Sequence, residues 1–203
     1  MLIDAYHSAR VLSRRVKVLA THLATLAPSG AAILDVGCGD GQVARLLLDG
    51  RPDLTLTGVD VLAREKTAIP VALFDGRTLP GADGSQDAVM LVDVLHHADD
   101  PRVLLREAAR VSRRWILLKD HTLEGFAAET TLRFMDRVGN ARYGVALPYN
   151  FWTRAQWAGA FAELDLVPVK SITDVGLYPW WSDWMFGRQL HFVTLLEKKP
   201  RRA

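Results

Sequence analysis

Cysteine is almost absent from this chain: Cys38 stands alone. A lone cysteine excludes an intramolecular disulfide and a cysteine-rich zinc site. It fits a reducing compartment, and the cytoplasm is the expected one. No apolar run reaches the length of about 18 residues that a membrane span needs, so none is expected. Neither sign of charge dominates, since 25 Lys and Arg face 23 Asp and Glu for a net +2. That balance supplies no strong field for nucleic acid or an acidic membrane surface, and no nucleic-acid partner is expected. Internal repeats and low-complexity segments are missing as well. What the chain has is apolar residues, 49% of 203. That is enough for one globular domain with a substantial core.

The apolar residues are grouped in a way that points to alternating strands and helices. Near the N-terminus Leu2, Tyr6, Ala9, Leu12, Val16, Leu19, Leu23 and Leu26 recur at three- and four-residue spacing, the pattern of a docked amphipathic helix. From residue 31 onward the pattern alternates. "AAILDV", "LTLTGVD", "VALFD", "DAVMLVDVL" and "RWILLKD" read as strands. "GQVARLLLDG" and "DDPRVLLREAARVS" read as helices, the second with Asp100 as N-cap and Pro101 at its first position. Near-continuous Val, Ile and Leu runs mark strands buried on both faces, as in a parallel sheet. The expected fold is α/β, a doubly wound Rossmann-like, mostly parallel seven-stranded sheet in three αβα layers. The last third adds a helix over "EGFAAETTLRFMDRVGN" and a loop over "ARYGVALPYN". A further helix opens with a capping box of Thr153 and Gln156 and a Trp152–Trp157 staple. Two final strands, "LVPVKSITDVG" and "RQLHFVTLLEK", complete the sheet, the second a candidate for antiparallel pairing, with "LYPWWSDWMF" between them. The expected organisation is a helical cap over 1–29 and one domain over 30–203, with a helical insertion at about 122–150.

The first strand-to-helix turn, "DVGCGDG", carries Gly37, Gly39 and Gly41 behind Asp35. In an open α/β sheet ligands bind at the carboxyl ends of such strands. A nucleoside-triphosphate loop needs Lys-Ser or Lys-Thr after its last glycine, and neither is present. A dinucleotide turn, G-x-G-x-x-G/A, would put Gln42 where the third small residue belongs. The remaining pattern, D-x-G-x-G-x-G, resembles motif I of the class I S-adenosylmethionine-dependent methyltransferases. That cofactor has no phosphate to cradle. Glycines let the backbone approach its ribose and methionine portion, and a carboxylate favours its cationic end. Asp35, Gly37, Cys38, Gly39 and Gly41 are thus expected to form the cofactor loop, with Cys38 a small packing residue of no covalent role.

Beyond the glycines, Asp60 ends the second strand, where a carboxylate can accept both ribose hydroxyls. The resemblance implies that Asp75 and Gly76, after the third strand, lie beside the adenine. About ten residues, "VLAREKTAIP", join the second and third strands, so the usual helix there must be short or absent. The stretch "DGSQDAVMLVDVLHHADDPRVLLREAARV" resembles the fourth-strand region of small-molecule methyltransferases of the quinone-biosynthesis type. By that resemblance Asp93 lies beside the methionine portion and His96 or His97 near the transferred methyl. Adjacent residues seldom point the same way, so one histidine at most is expected to face the site.

Methyl transfer is an in-line displacement at a sulfonium carbon, which needs an aligned nucleophile, a dry site and in some cases a base. His121 in "KDH", closing the fifth strand, is the expected base at the mouth of the site. Asp93 and His96 complete the expected catalytic set. Asp93, His97 and Asp99 can be assembled into a metal set as in catechol-type enzymes, but the spacing is generic and no metal ligand is assigned. Tyr143, Tyr149, Phe151, Trp152, Tyr178, Trp180, Trp181, Trp184 and Phe186 crowd the last third. They suit an apolar acceptor pocket, core packing or a dimer surface equally well. No Asn-Pro-Pro-Tyr follows the fourth strand, as it does in many amino-methylating enzymes of DNA and protein. The expected function is methyl transfer to oxygen or carbon of a small, apolar or aromatic acceptor, by a monomer or homodimer. The alternatives are a catalytically inactive cofactor-binding partner subunit, or an RNA or protein methyltransferase.

Overall fold

The computed structural model describes residues 2–140, 144 and 146–199, with side chains from Arg14 onward. A helix, α1 (Leu2–Leu26), leads into β1 (Ala32–Val36), α2 (Gln42–Gly50), β2 (Thr55–Asp60), β3 (Val71–Leu73) and β4 (Gln86–Val92). A single 3-10 turn (Leu95–His97) precedes α3 (Pro101–Val111), β5 (Ser112–His121), α4 (Ala128–Asn140) and α5 (Arg154–Glu163). The chain closes with β6 (Leu166–Ile172), α6 (Trp180–Phe186) and β7 (His191–Lys198). The seven strands form one sheet in the order β3-β2-β1-β4-β5-β7-β6. Strands β1 to β5 run parallel, and β7 is antiparallel to both β5 and β6.

Strand alternation divides the core into two layers. Leu34, Val36, Val89, Leu91, Ile116 and Leu118 point to one face, where Leu105 of α3 and Trp157 and Phe161 of α5 cover them. Ile33, Met90, Leu117, Val193 and Leu195 point to the other, under Leu19 and Leu23 of α1 and Leu47 of α2. Both faces are dry, which is why these strands are unbroken apolar runs. The described part of α1 shares the second layer's core, and Arg14 and His22 add hydrogen bonds to the carbonyls of Gly176 and Val175. Local signals hold at helix starts. Asp100 accepts the Arg102 amide at 2.9 Å, with Pro101 in the first turn. Thr153 and Gln156 form the reciprocal capping box, and Trp152 packs edge-on against Trp157 at 4.7 Å.

One local feature agrees with the sequence, one departs from it and one adds to it. Residues 61–70 join β2 to β3 without a helix, as the short link required. Strand β4 stops at Val92, because Asp93 turns into the left-handed region at φ 57. The stretch between the last two strands is not a plain loop: it contains α6, one short helix starting after Pro179. Order in the sheet reverses between β1 and β4, since the chain leaves β1 toward β2 and β3 and then returns to β1's other side. The carboxyl ends of β1, β2 and β4 therefore meet around one crevice.

Candidate functional site

That crevice holds a cavity of about 470 Å³, lined by Gly37, Gly39, Asp60, Asp75, Gly76 and Asp93 among others. Its floor is the turn after β1. Gly37, Gly39 and Gly41 all have positive φ, at 67, 60 and 77°. The three differ in what surrounds them. A Cβ on Gly37 would lie 2.6 Å from a Val94 methyl, and one on Gly41 2.7 Å from Ile69 Cγ1. A Cβ on Gly39 would meet nothing within 4 Å. Gly37 and Gly41 are glycines because the protein presses on them, whereas Gly39 leaves a bare backbone facing open cavity.

Asp60 fastens this turn to β2. One carboxylate oxygen accepts the Gly39 amide at 2.7 Å and the other the Leu62 amide at 2.8 Å. A carboxylate has about four acceptor positions, so Asp60, on the cavity wall, keeps capacity for two more donors. Asp75 closes the opposite end. Its Oδ1 accepts the amides of Thr78 and Arg77 at 2.7 and 2.8 Å, which hold its carboxyl below the usual carboxylate range.

Asp93 is the charged group of the far wall. Burial pushes its carboxyl up, but Lys119 and then Arg15 outweigh that and keep it ionised, well below the ordinary range. Lys119, wholly buried on β5, pairs directly with Asp93 Oδ1. Arg15 of α1 stands 3.8 Å from Oδ2. Lys119 and Arg15 thus hold the Asp93 carboxylate ionised and in place on the cavity wall.

Not every expected residue reaches the cavity. Asp35 is 3% exposed and lies beneath the loop. Burial, then the charge of Asp60, pushes its carboxyl up to about 8, so it is mostly neutral at pH 7 and supplies no charge to a ligand. Cys38 packs its sulfur where a Cβ on Gly58 would otherwise be. Burial, then Asp35 and Asp60, pushes its thiol up to about 12, a packing residue and not a nucleophile. His121, expected at the mouth, is buried behind Asp93, its Nδ1 3.5 Å from Asp93 Oδ1. Burial and the nearby Lys119 charge push its imidazole well below its ordinary range. Of the adjacent histidines, His97 lines the cavity. His96 sits behind it, 2% exposed.

A buried polar cluster backs this wall. His96 Nδ1 meets Asp120 Oδ1 at 2.7 Å. Burial lowers the His96 pKa, but Asp120 and Asp136 outweigh it and raise it to about 10. His97 Nδ1 meets the Ala146 carbonyl at 3.0 Å. Asp136 of α4 stands 3.4 Å from His97 Nε2 and 3.7 Å from His96 Nε2. Asp136 and Asn140 were not singled out from sequence, although a signal existed: Asp136 extends the buried stripe of Ala128 and Leu132 at four-residue spacing.

The aromatic third divides three ways. Phe151 and Trp157 are buried. Tyr149, Trp152, Tyr178 and Phe186 are half-buried. On α6, Trp180, Trp181 and Trp184 are exposed, Trp180 to 87%. Tyr143 lies outside the described residues, as do the side chains of Leu2, Tyr6, Ala9 and Leu12. No described helix is long and apolar enough to cross a membrane.

Known proteins resemble this chain in part of its sequence and in its fold. Residues 34–114 match the family described as "Methyltransferase domain". An uncharacterized methyltransferase of Mycobacterium sp. (strain JLS) is 38% identical over 93 residues, 42% of this chain and 36% of that protein. A demethylmenaquinone methyltransferase of Thermotoga maritima is 35% identical over 89 residues, 40% of this chain and 39% of that protein. The aligned segment thus spans well under half the length of these curated relatives. The whole fold matches the crystal structure of a SAM-dependent methyltransferase of Thermotoga maritima with a TM-score of 0.67 at 17% identity, covering 98% of this chain and 96% of that one.

Proposed function

We infer the function from one premise: this chain belongs to the class I S-adenosylmethionine-dependent methyltransferases. It takes S-adenosylmethionine as methyl donor and methylates oxygen or carbon of a small, apolar or aromatic acceptor. The observation that carries this reading is the wall running from Gly39 through Asp60 to Asp93. It offers bare backbone, a carboxylate with acceptor capacity left over, and a fixed anion, with no lysine set for a phosphate.

When bound, the cofactor supplies an electrophilic methyl group on a cationic sulfur. The residues of this chain do the rest. Gly37 and Gly39 let the backbone lie against the methionine and ribose portion. Asp60 accepts the ribose hydroxyls while its Gly39 and Leu62 bonds hold it in place. Asp75 and Gly76 border the adenine end. Asp93 faces the cationic end, ionised by Lys119 and Arg15. Of the three residues assigned to catalysis, Asp93 alone borders the cavity. His121 and His96 act through Asp93 and Asp120 as positioning residues. Asp35, Cys38 and Gly41 support the loop from beneath. His97, Ala98 and Asn140 line the same cavity on the α4 side, which suits the acceptor.

Calorimetry with S-adenosylmethionine and S-adenosylhomocysteine tests the cofactor assignment. Both are expected to bind at one site per chain, and no measurable heat with either would sink it. Turnover of a tritiated methyl group into a panel of phenols, enols and quinols then tests the reaction. Tight binding with no transfer to any of them would point instead to a cofactor-binding module.

A further inference from the structure

Two histidines and a carboxylate gather at the acceptor side of the cavity, His97 on its lining and His96 and Asp136 buried behind it. We propose that His96, His97 and Asp136 bind one divalent transition-metal ion through the two Nε2 atoms and the Asp136 carboxylate.

Hydrogen bonds engage the two Nδ1 atoms and leave the Nε2 atoms turned inward, where the Asn140 amide nitrogen approaches His97 Nε2 at 3.4 Å. His96 Nδ1 is engaged by the Asp120 carboxylate at 2.7 Å. His97 Nδ1 donates to the Ala146 carbonyl at 3.0 Å. Each bond fixes its ring with Nε2 turned inward, the same second partner that orients metal-bound histidines. Both Nε2 atoms then converge on Asp136 Oδ1, at 3.7 and 3.4 Å. These separations are long for hydrogen bonds. They match two donors on one ion instead: bonds of about 2.0–2.1 Å in tetrahedral geometry set donors about 3.3–3.4 Å apart. One potential donor atom from each of the three residues lies within 4.8 Å of those from the other two.

Asp136 supplies the second, independent observation. It is 2% exposed at the side chain, and its Oδ2 has no hydrogen-bond partner among the described residues. An unpartnered carboxylate oxygen in a buried site is costly. Asn140 relieves only Oδ1, at 2.7 Å. An ion held by both carboxylate oxygens would relieve Oδ2 as well. Without a metal, a proton on His96 Nε2 faces Oδ1, at 3.7 Å. The ion would displace it, so that the nitrogen lone pair bonds the metal and the proton leaves to solvent.

Two imidazoles and one carboxylate suit zinc, iron(II) or cobalt(II), and leave coordination positions open. His97 and Asn140 line the cofactor cavity, so an open position there would reach the acceptor. A bound ion could polarise an acceptor hydroxyl and lower its pKa. This use of the ion rests on the methyltransferase reading, while the site itself does not.

The test strips the full-length protein with a chelator and dialyses it against cobalt(II) and, separately, zinc(II). One ion per chain is expected, with the visible ligand-field absorption of cobalt bound by nitrogen and oxygen. Asp136→Asn keeps the shape and removes the charge, and His97→Ala removes a donor. Each is expected to weaken binding by more than the 10–100-fold that a merely supporting residue costs. Asp49→Asn alters an exposed acid of α2 outside the cavity lining and is expected to leave metal binding unchanged. Substoichiometric binding by the wild type overturns the proposal, as does wild-type affinity in both Asp136→Asn and His97→Ala. S-adenosylhomocysteine binding, measured on the same samples, reports whether the variants are folded. Its loss in the wild type with metal binding intact would remove the methyltransferase reading and leave the metal site.

Discussion

Asp35 lies one residue from the end of β1, beneath the glycine turn, where burial and then the Asp60 charge push its carboxyl up to about 8. The linkage sign follows from that direction. Between the ordinary carboxylate range and pH 8 the folded chain binds a proton here that the unfolded chain has released. Stability from this group is therefore complete at low pH and is lost as pH rises toward 8. The slope approaches about 1.4 kcal/mol per pH unit for one proton. Asp35→Asn keeps the shape without the titration. Denaturant unfolding of both proteins from pH 5 to 8 is expected to show the wild type losing stability relative to the variant as pH rises. Parallel curves would remove the buried neutral acid from the account. Sequence could show that an acid ends this strand, but not its protonation, because that depends on how near the fold brings Asp60.

At the scale of elements, the turn from β1 to α2 separates two reasons for glycine. All three residues are left-handed, which costs a side chain about 1–2 kcal/mol wherever it occurs. At Gly41 a Cβ also lies 2.7 Å from Ile69, while at Gly39 it meets no protein atom. Gly41→Ala is thus expected to lose more stability than Gly39→Ala. The order reverses for S-adenosylhomocysteine if the proposed cofactor site is right, because an alanine methyl at 39 would stand on the lining of that cavity, and its affinity should drop at least about tenfold. Equal losses of affinity in the two variants would show that the bare backbone at Gly39 has no special relation to the ligand. The three glycines were legible because a strand, a Gly-rich turn and a helix announce themselves by local pattern. So was the capping box of α5, which needs only two residues three apart. Strand β4 was read too long, since Val94 and Leu95 continue its apolar run and nothing local marks the left-handed turn at Asp93. Helix α6 escaped because seven residues, three of them tryptophan, carry too little periodicity. The cluster of His96, His97 and Asp136 escaped for a different reason. Its members come from a turn after β4 and from α4, and only the packing of α4 brings them together.

Across the whole molecule the two core layers and the sheet form one body, and α1 shares the layer that holds α2, β1 and β7. One cooperative transition is expected, so a ligand bound at the switch point should stabilise all of it. At a concentration of 100 Kd, S-adenosylhomocysteine adds about 2.7 kcal/mol. For a chain of this size that raises the unfolding midpoint by roughly 5–11 °C. Asp60→Ala provides the test, with one complication. Asp60 also holds the Gly39 and Leu62 amides, so the variant is expected to melt earlier even without ligand. The informative quantity is therefore the ligand-induced shift within each protein, not the midpoint itself. Losing two ribose hydroxyl partners should weaken binding by about 1–3 kcal/mol, which cuts the shift at the same ligand concentration to between about two thirds and one tenth of the wild-type value. A variant with a lower midpoint but an undiminished shift would keep Asp60 as a strut of the turn and strip it of the ribose. A shift that fell with the midpoint would tie the two roles to one carboxylate, whose bonds to the glycine turn leave its remaining lone pairs facing the cavity.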